Sequence, residues 1–130
     1  MEMKRETLNL LSKQIVDAAF NVHKEMGPGL LESIYEYCLL KEFELRSINA
    51  ASQVVVPLYY KGELLTKDFR IDILVEQEII IELKAVDIIL PVHEAQIISY
   101  LKLADKRLGF LINFNVDLMK NGIRRFVNEF

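Results

Sequence analysis

Apolar positions fall at three- and four-residue steps over residues 5–25, with Leu8, Leu11, Ile15, Ala18, Ala19 and Val22 on one side, which predicts an amphipathic helix. Gly27-Pro28-Gly29 ends it and forces a tight connection. A second helix is expected over about residues 31–46, its apolar side formed by Leu31, Ile34, Tyr35, Cys38, Leu39 and Phe43. The pattern then changes to runs rich in β-branched residues. Residues 52–60 read as a strand in which Pro57 removes a ladder donor, as suits an edge or a bulge. Lys61-Gly62-Glu63 turns the chain into a second strand, and Glu78 to Val86 read as a third. Pro91 suits the first turn of a helix running to about Ala104, with Val92, Ala95, Ile98, Leu101 and Leu103 as its apolar side. Arg107 to Phe114 read as a buried strand, and Asp117 to Asn121 as a turn into a last strand from Ile123 to Glu129. The order α-α-β-β-β-α-β-β, with a strand meander followed by a helical crossover, implies an α/β fold with a mixed sheet flanked by helices.

The register between the second and third strands carries chemistry. With a three-residue turn at Glu76-Gln77-Glu78, Val75 faces Ile79, Ile73 faces Ile81 and Ile71 faces Leu83, which makes one wholly apolar face. The other face then sets Asp72 opposite Glu82, Arg70 opposite Lys84 and Leu74 opposite Ile80. A two-residue turn would mix both faces. Two carboxylates directly opposite repel by a few tenths to about 1 kcal/mol, and a divalent cation is the simplest offset. Hard oxygen ligands suit Mg²⁺ or Mn²⁺, which polarise a phosphate and lower the pKa of a bound water. Lys84 shares the face of Glu82 by the two-residue strand period and can reach the same phosphate or water. Ion pairs of Asp72 and Glu82 with Arg70 and Lys84 on a solvated face account for the same residues. The hairpin by itself leaves both readings open.

Composition narrows the classes without choosing among them. The chain has 130 residues, is 52% hydrophobic and 27% charged, and is expected to form one domain over 1–130. A net charge of −3 counts against a non-specific nucleic-acid binder working through a broad positive surface. It counts less against an acidic site that holds metal. The single cysteine, Cys38, excludes an internal disulfide and reads as a buried thiol. The mixed charges of Glu2, Lys4, Arg5 and Glu6 make no signal peptide, and no apolar run approaches the ~20 residues of a membrane span, so a cytoplasmic protein without membrane partners is expected.

Other candidates have ordinary readings. Glu32 in the first turn of the second helix is favoured by the helix dipole, and His23 suits the end of the first helix as a surface residue. Tyr35 and Tyr100 are expected to pack on the core with hydrated hydroxyls. His93-Glu94 lacks the second histidine of a zinc helix, because position 97 is Ile97. Lys102, Lys106, Arg107, Lys120, Arg124 and Arg125 form either a phosphate-contacting patch or a scattered solvated surface.

Gly29-Leu30-Leu31-Glu32-Ser33-Ile34-Tyr35 resembles the signature of the GxxExxY proteins, a branch of the PD-(D/E)XK nuclease superfamily. The resemblance continues through Val56-Pro57-Leu58-Tyr59-Tyr60-Lys61-Gly62, Asp72, Ile81-Glu82-Leu83-Lys84 and the run His93 to Leu101, and so covers nearly the whole chain. It implies a restriction-endonuclease-like core with an active site at one edge of the sheet. Asp72 and Glu82 would bind the catalytic Mg²⁺ or Mn²⁺, assisted by the backbone carbonyl of Leu83 and by Glu32 directly or through water. Lys84 would orient the attacking water and stabilise the phosphorane, while Gln96 supports the site and Tyr100 lies one turn along. The implied activity is hydrolysis of a nucleic-acid phosphodiester, DNA ahead of RNA. A homodimer or a subunit of a larger complex fits a chain with no separate recognition domain in view. The alternative is a catalytically idle nucleic-acid- or protein-binding module on the same core.

Overall fold

The computed structural model describes residues 2–130. The elements follow the predicted order. Helix α1 spans Arg5–Met26 and α2 spans Glu32–Leu45; strands β1 (Ala50–Tyr60), β2 (Glu63–Val75) and β3 (Ile79–Lys84) come next. Helix α3 (Pro91–Leu103) leads to β4 (Leu108–Asn113), a short 3₁₀ turn at Met119–Asn121, and β5 (Ile123–Val127). The sheet runs β1-β2-β3-β4-β5, with β3 and β4 parallel and the other neighbours antiparallel. Pro57 lies where the β1–β2 register shifts, and β1 is an edge strand, the two settings in which a sheet accepts a residue without an amide hydrogen.

Helices cover both faces of the sheet. On one side Leu8, Ile15, Ala18 and Val22 of α1 and Tyr35, Leu39 and Phe43 of α2 pack on Ile73, Val75, Ile79, Ile81, Leu83, Phe110 and Ile112. On the other, Ile97 and Leu101 of α3 pack on Ile71, Leu74, Ile80 and Leu111. Gly109 permits this second contact, since a Cβ there would lie 3.2 Å from Ile97, Leu101 and the Ile80 carbonyl.

Periodicity misplaced the face of α3 and drew that of α2 too wide. On α3 the buried positions are Ile97 and Leu101, while Val92, Ile98 and Leu103 are exposed, because a helix lying over one small patch buries a narrow stripe. On α2, Leu31 and Ile34 are exposed and only Tyr35, Leu39 and Phe43 are buried. Cys38 is half-buried at the margin of the core, not inside it.

Strands β1 and β2 both break strict alternation at one level. Phe69 and Ile71 pack with the α3 cluster, whereas Ile73 and Val75 pack with α1 and α2, although all four share one parity. In β1, Ala50 packs toward α1 and α2, but Val54 and Val56 pack toward α3. The switch falls at Gln53 and Asp72, between the paired positions Ser52↔Ile73 and Val54↔Ile71. Gln53 has a left-handed backbone, φ 51°. Ile71 is therefore buried as expected, but on the face opposite to the one predicted.

Candidate active site

The turn between β2 and β3 is the odd loop that the pattern required. Val75 pairs with Ile79, Leu74 with Ile80 and Ile73 with Ile81, and Glu76 and Gln77 take left-handed backbone angles of 50° and 61°. Regular pairing stops there. One step on, the carboxylates of Asp72 and Glu82 replace the ladder. The Asp72 amide donates to Glu82 Oε2 at 2.8 Å, and the Leu83 amide donates to Asp72 Oδ2 at 2.8 Å. Each carboxylate is thus solvated by the other strand's backbone, which offsets part of the repulsion that sequence reasoning left to a cation alone.

Glu82 is 5% exposed. Burial and then the Asp72 charge push its pKa up to about 8, against the lowering effects of the Asp72 amide and the Lys84 ammonium. Glu32 and Glu36 approach from α2. Burial raises the pKa of Glu32, with Asp72 and Glu36 adding to the rise and Lys84 opposing it. Burial likewise raises Glu36, whose carboxylate accepts a hydrogen bond from Gln53 Nε2 at 2.8 Å. The same Gln53 nitrogen lies 3.4 Å from Asp72 Oδ1. Sequence reasoning missed both Glu36 and Gln53. The spacing Glu32-x-x-x-Glu36 on one helix was a usable signal for Glu36; Gln53 had none.

Lys84 ends β3 opposite Asn113 of β4, and its carbonyl accepts from the Phe114 amide at 3.0 Å. The buried Asn113 side chain bonds both the amide and the carbonyl of Val86, at 3.1 and 2.9 Å, which fixes the chain just past Lys84. The ion pairs of the solvated-face reading do not form: among the described residues neither Arg70 nor Lys84 lies within 4.0 Å of Asp72 or Glu82 as a salt bridge.

From α3, Tyr100 stacks on Phe69 at 4.4 Å. Its pKa is raised by burial and next by the charge of Glu82. Gln96 is exposed and donates to the Tyr100 hydroxyl at 2.8 Å; among the described residues it makes no hydrogen bond to Asp72, Glu82 or Lys84. Tyr35 is fully buried against Phe114 at 4.5 Å. Its hydroxyl is not hydrated as expected: it donates to the Gly27 carbonyl at 2.6 Å and accepts from the Leu30 amide at 3.1 Å. That bracket fixes the loop that launches α2 and so aims Glu32. His23 bonds the Val116 carbonyl at 2.7 Å, which makes it a tether between elements instead of a free surface residue. His93 Nδ1 accepts from the Leu90 amide at 3.0 Å and closes the start of α3.

Four of the six basic residues are tied down separately. Lys106 donates to Gln77, Arg107 to Met3 and Arg124 to Glu94, while Arg125 lies over Phe130.

The sequence model of the PD-(D/E)XK nuclease superfamily matches residues 9–126. The chain belongs to that superfamily. Its five-stranded mixed sheet between helices has the restriction-endonuclease-like architecture. Among solved structures, the chain is similar to the crystal structure of SSO0001, with a TM-score of 0.51 and 24% identity. The match covers 75% of this chain and 49% of that one, so the chain spans about half of that protein's length, and the likeness concerns fold alone. A comparison with curated proteins finds no match. No helix among the described residues is long and apolar enough to cross a membrane.

PD-(D/E)XK nucleases generally use divalent metals. Among the described residues no three His, Cys, Asp or Glu side chains converge as a ready cation cage. The donor set nevertheless fits Mg²⁺ or Mn²⁺, which bind through one or two carboxylates and keep waters and substrate oxygens for the remaining positions. One oxygen each of Asp72 and Glu82 is engaged by a backbone amide, which leaves Glu82 Oε1 and a lone pair of Asp72 Oδ1 beside its 3.4 Å contact with Gln53.

Proposed function

We propose that this protein is a metal-dependent phosphodiesterase that hydrolyses nucleic acid, DNA ahead of RNA, with Asp72 and Glu82 as metal ligands. The observation that carries the reading is the reciprocal clasp of two carboxylates across β2 and β3, within the electrostatic reach of Lys84, in a chain of a nuclease superfamily. A salt-bridged solvated face has no reason to hold a nearly buried glutamate against an aspartate.

When bound, Mg²⁺ or Mn²⁺ would polarise the scissile phosphate and lower the pKa of a coordinated water. The protein's own residues do the rest. Asp72, Glu82 and the Leu83 carbonyl supply hard oxygens, and Glu32 on α2 adds a further carboxylate, directly or through water. Lys84 places a compact positive charge where the attacked phosphate gains negative charge. Gln96 acts through Tyr100, whose ring is fixed on Phe69. The likeness to GxxExxY proteins fits the Gly29, Glu32 and Tyr35 arrangement, because Tyr35 braces the loop that presents Glu32.

Calorimetric titration with Mg²⁺ and Mn²⁺, followed by linear, branched and single-stranded substrates with each metal, tests the reading. Metal binding with cleavage of one substrate class supports it. Metal binding with no cleavage of any substrate assigns the fold to a binding module or partner subunit instead.

A further inference from the structure

Gln53 stands apart from every other residue near the carboxylates. It sits in the middle of β1 with φ 51°, a left-handed conformation that an L residue other than glycine, asparagine or aspartate seldom adopts. The side chain so placed ends between two acidic groups: its Nε2 lies 2.8 Å from Glu36 Oε1 and 3.4 Å from Asp72 Oδ1. The orientation of the amide follows from chemistry. Its nitrogen has two hydrogens, one for each carboxylate, whereas the carbonyl oxygen turned inward would face two negative charges.

We propose that Gln53 is a positioning residue that fixes the Asp72 carboxylate and ties it to α2. The inference rests on the metal-ligand reading of Asp72 above. Asp72 Oδ2 is held by the Leu83 amide and Oδ1 by Gln53, so donors at both oxygens oppose rotation of the carboxylate. Glu36 anchors the other side of the amide one helical turn beyond Glu32. The bridge therefore sets the distance between the helix that carries Glu32 and the strand that carries Asp72. Groups that orient a metal ligand typically change metal affinity about 10–100-fold when removed.

The decisive variant is Gln53→Gly, which removes the carboxamide while suiting the left-handed backbone. Gln53→Asn is its companion: it tolerates the same backbone and keeps the amide but lacks the reach. Two readouts separate this proposal from the functional reading. The first is hydrogen exchange of the Leu83 amide in metal-free protein, compared with other β3 amides. The second is Mn²⁺ affinity by calorimetry. Both variants should speed exchange at Leu83 selectively, by roughly tenfold or more, and weaken Mn²⁺ binding about 10–100-fold. Cleavage at saturating Mn²⁺ should fall far less than cleavage at limiting Mn²⁺.

Unchanged Leu83 exchange in both variants overturns the proposal, even if the parent binds metal and cuts nucleic acid. Equal acceleration at every β3 amide also overturns it, since that reports general loosening. Selective acceleration at Leu83 in both variants, when the parent neither binds Mn²⁺ nor cuts, supports the bridge as the anchor of Asp72 while the functional reading fails.

Discussion

Asp72 and Glu82 exchange hydrogen bonds across two strands that have just parted: the Asp72 amide binds the Glu82 carboxylate, and the Asp72 carboxylate binds the amide that follows Glu82. Two acidic side chains are held together by converting the last step of a β-ladder into side-chain-to-backbone bonds. The arrangement separates the acceptor role of each carboxylate from its charge, and the two can be tested apart.

Asp72→Asn keeps an acceptor for the Leu83 amide and removes a charge from beside Glu82. Its melting temperature in chelator should match or exceed that of the parent. Asp72→Ala should instead lose about 1–3 kcal/mol, because the Leu83 amide is left unsatisfied. Both should lose most of the stabilisation that Mn²⁺ confers on the parent. Scanning calorimetry with and without metal reads all of these values. An Asn variant several degrees less stable in chelator would make Asp72 a structural partner.

The pH dependence follows from Glu82. Its pKa is raised from 4.5 to about 8, so the folded state binds this proton more tightly than the unfolded chain does. The resulting stabilisation is full below about 4.5 and is lost as pH rises through about 8. Metal competes with the same proton, so Mn²⁺ affinity should climb over that window. Denaturant titrations in chelator between pH 5 and 9 should show the metal-free parent losing stability relative to Glu82→Gln, which cannot titrate there.

Lys84 acts on charge that develops during phosphate attack. Lys84→Ala should fold and bind Mn²⁺ at least as tightly as the parent, yet cleave about 10²–10³ more slowly. Lys84→Arg should restore only part of that rate, because a planar guanidinium is a poor substitute for a compact ammonium. Single-turnover rates at saturating Mn²⁺ give the comparison, and an undiminished rate in Lys84→Ala would remove Lys84 from the chemistry.

Tyr35→Phe tests the brace under Glu32. The ring can keep its stack on Phe114, but the Leu30 amide and the Gly27 carbonyl lose their shared partner. A destabilisation of about 1–3 kcal/mol is expected from urea unfolding. Weaker Mn²⁺ binding should accompany it if the brace aims Glu32.

Periodicity and turn residues determined the order of elements, and alternation determined the odd turn between β2 and β3 and the apposition of Asp72 with Glu82. These are local matters: a three-residue loop between two apolar runs admits one register that keeps an apolar face whole. The edge position of Pro57 was legible for the same reason, since a residue without an amide hydrogen has few places in a sheet. Tertiary structure decided what depends on approach from elsewhere. Which stripe of α3 is buried was set by the small patch around Gly109, and the face taken by Ile71 was set by the inversion of β1 and β2 at Gln53 and Asp72. Glu36 and Gln53 lie 36 and 19 residues from Asp72 along the chain and meet it only because α2 and β1 fold against β2 at that inversion. A one-dimensional pattern records periods and turns; it does not record where two elements cross, and the neighbours of these carboxylates are fixed at such a crossing.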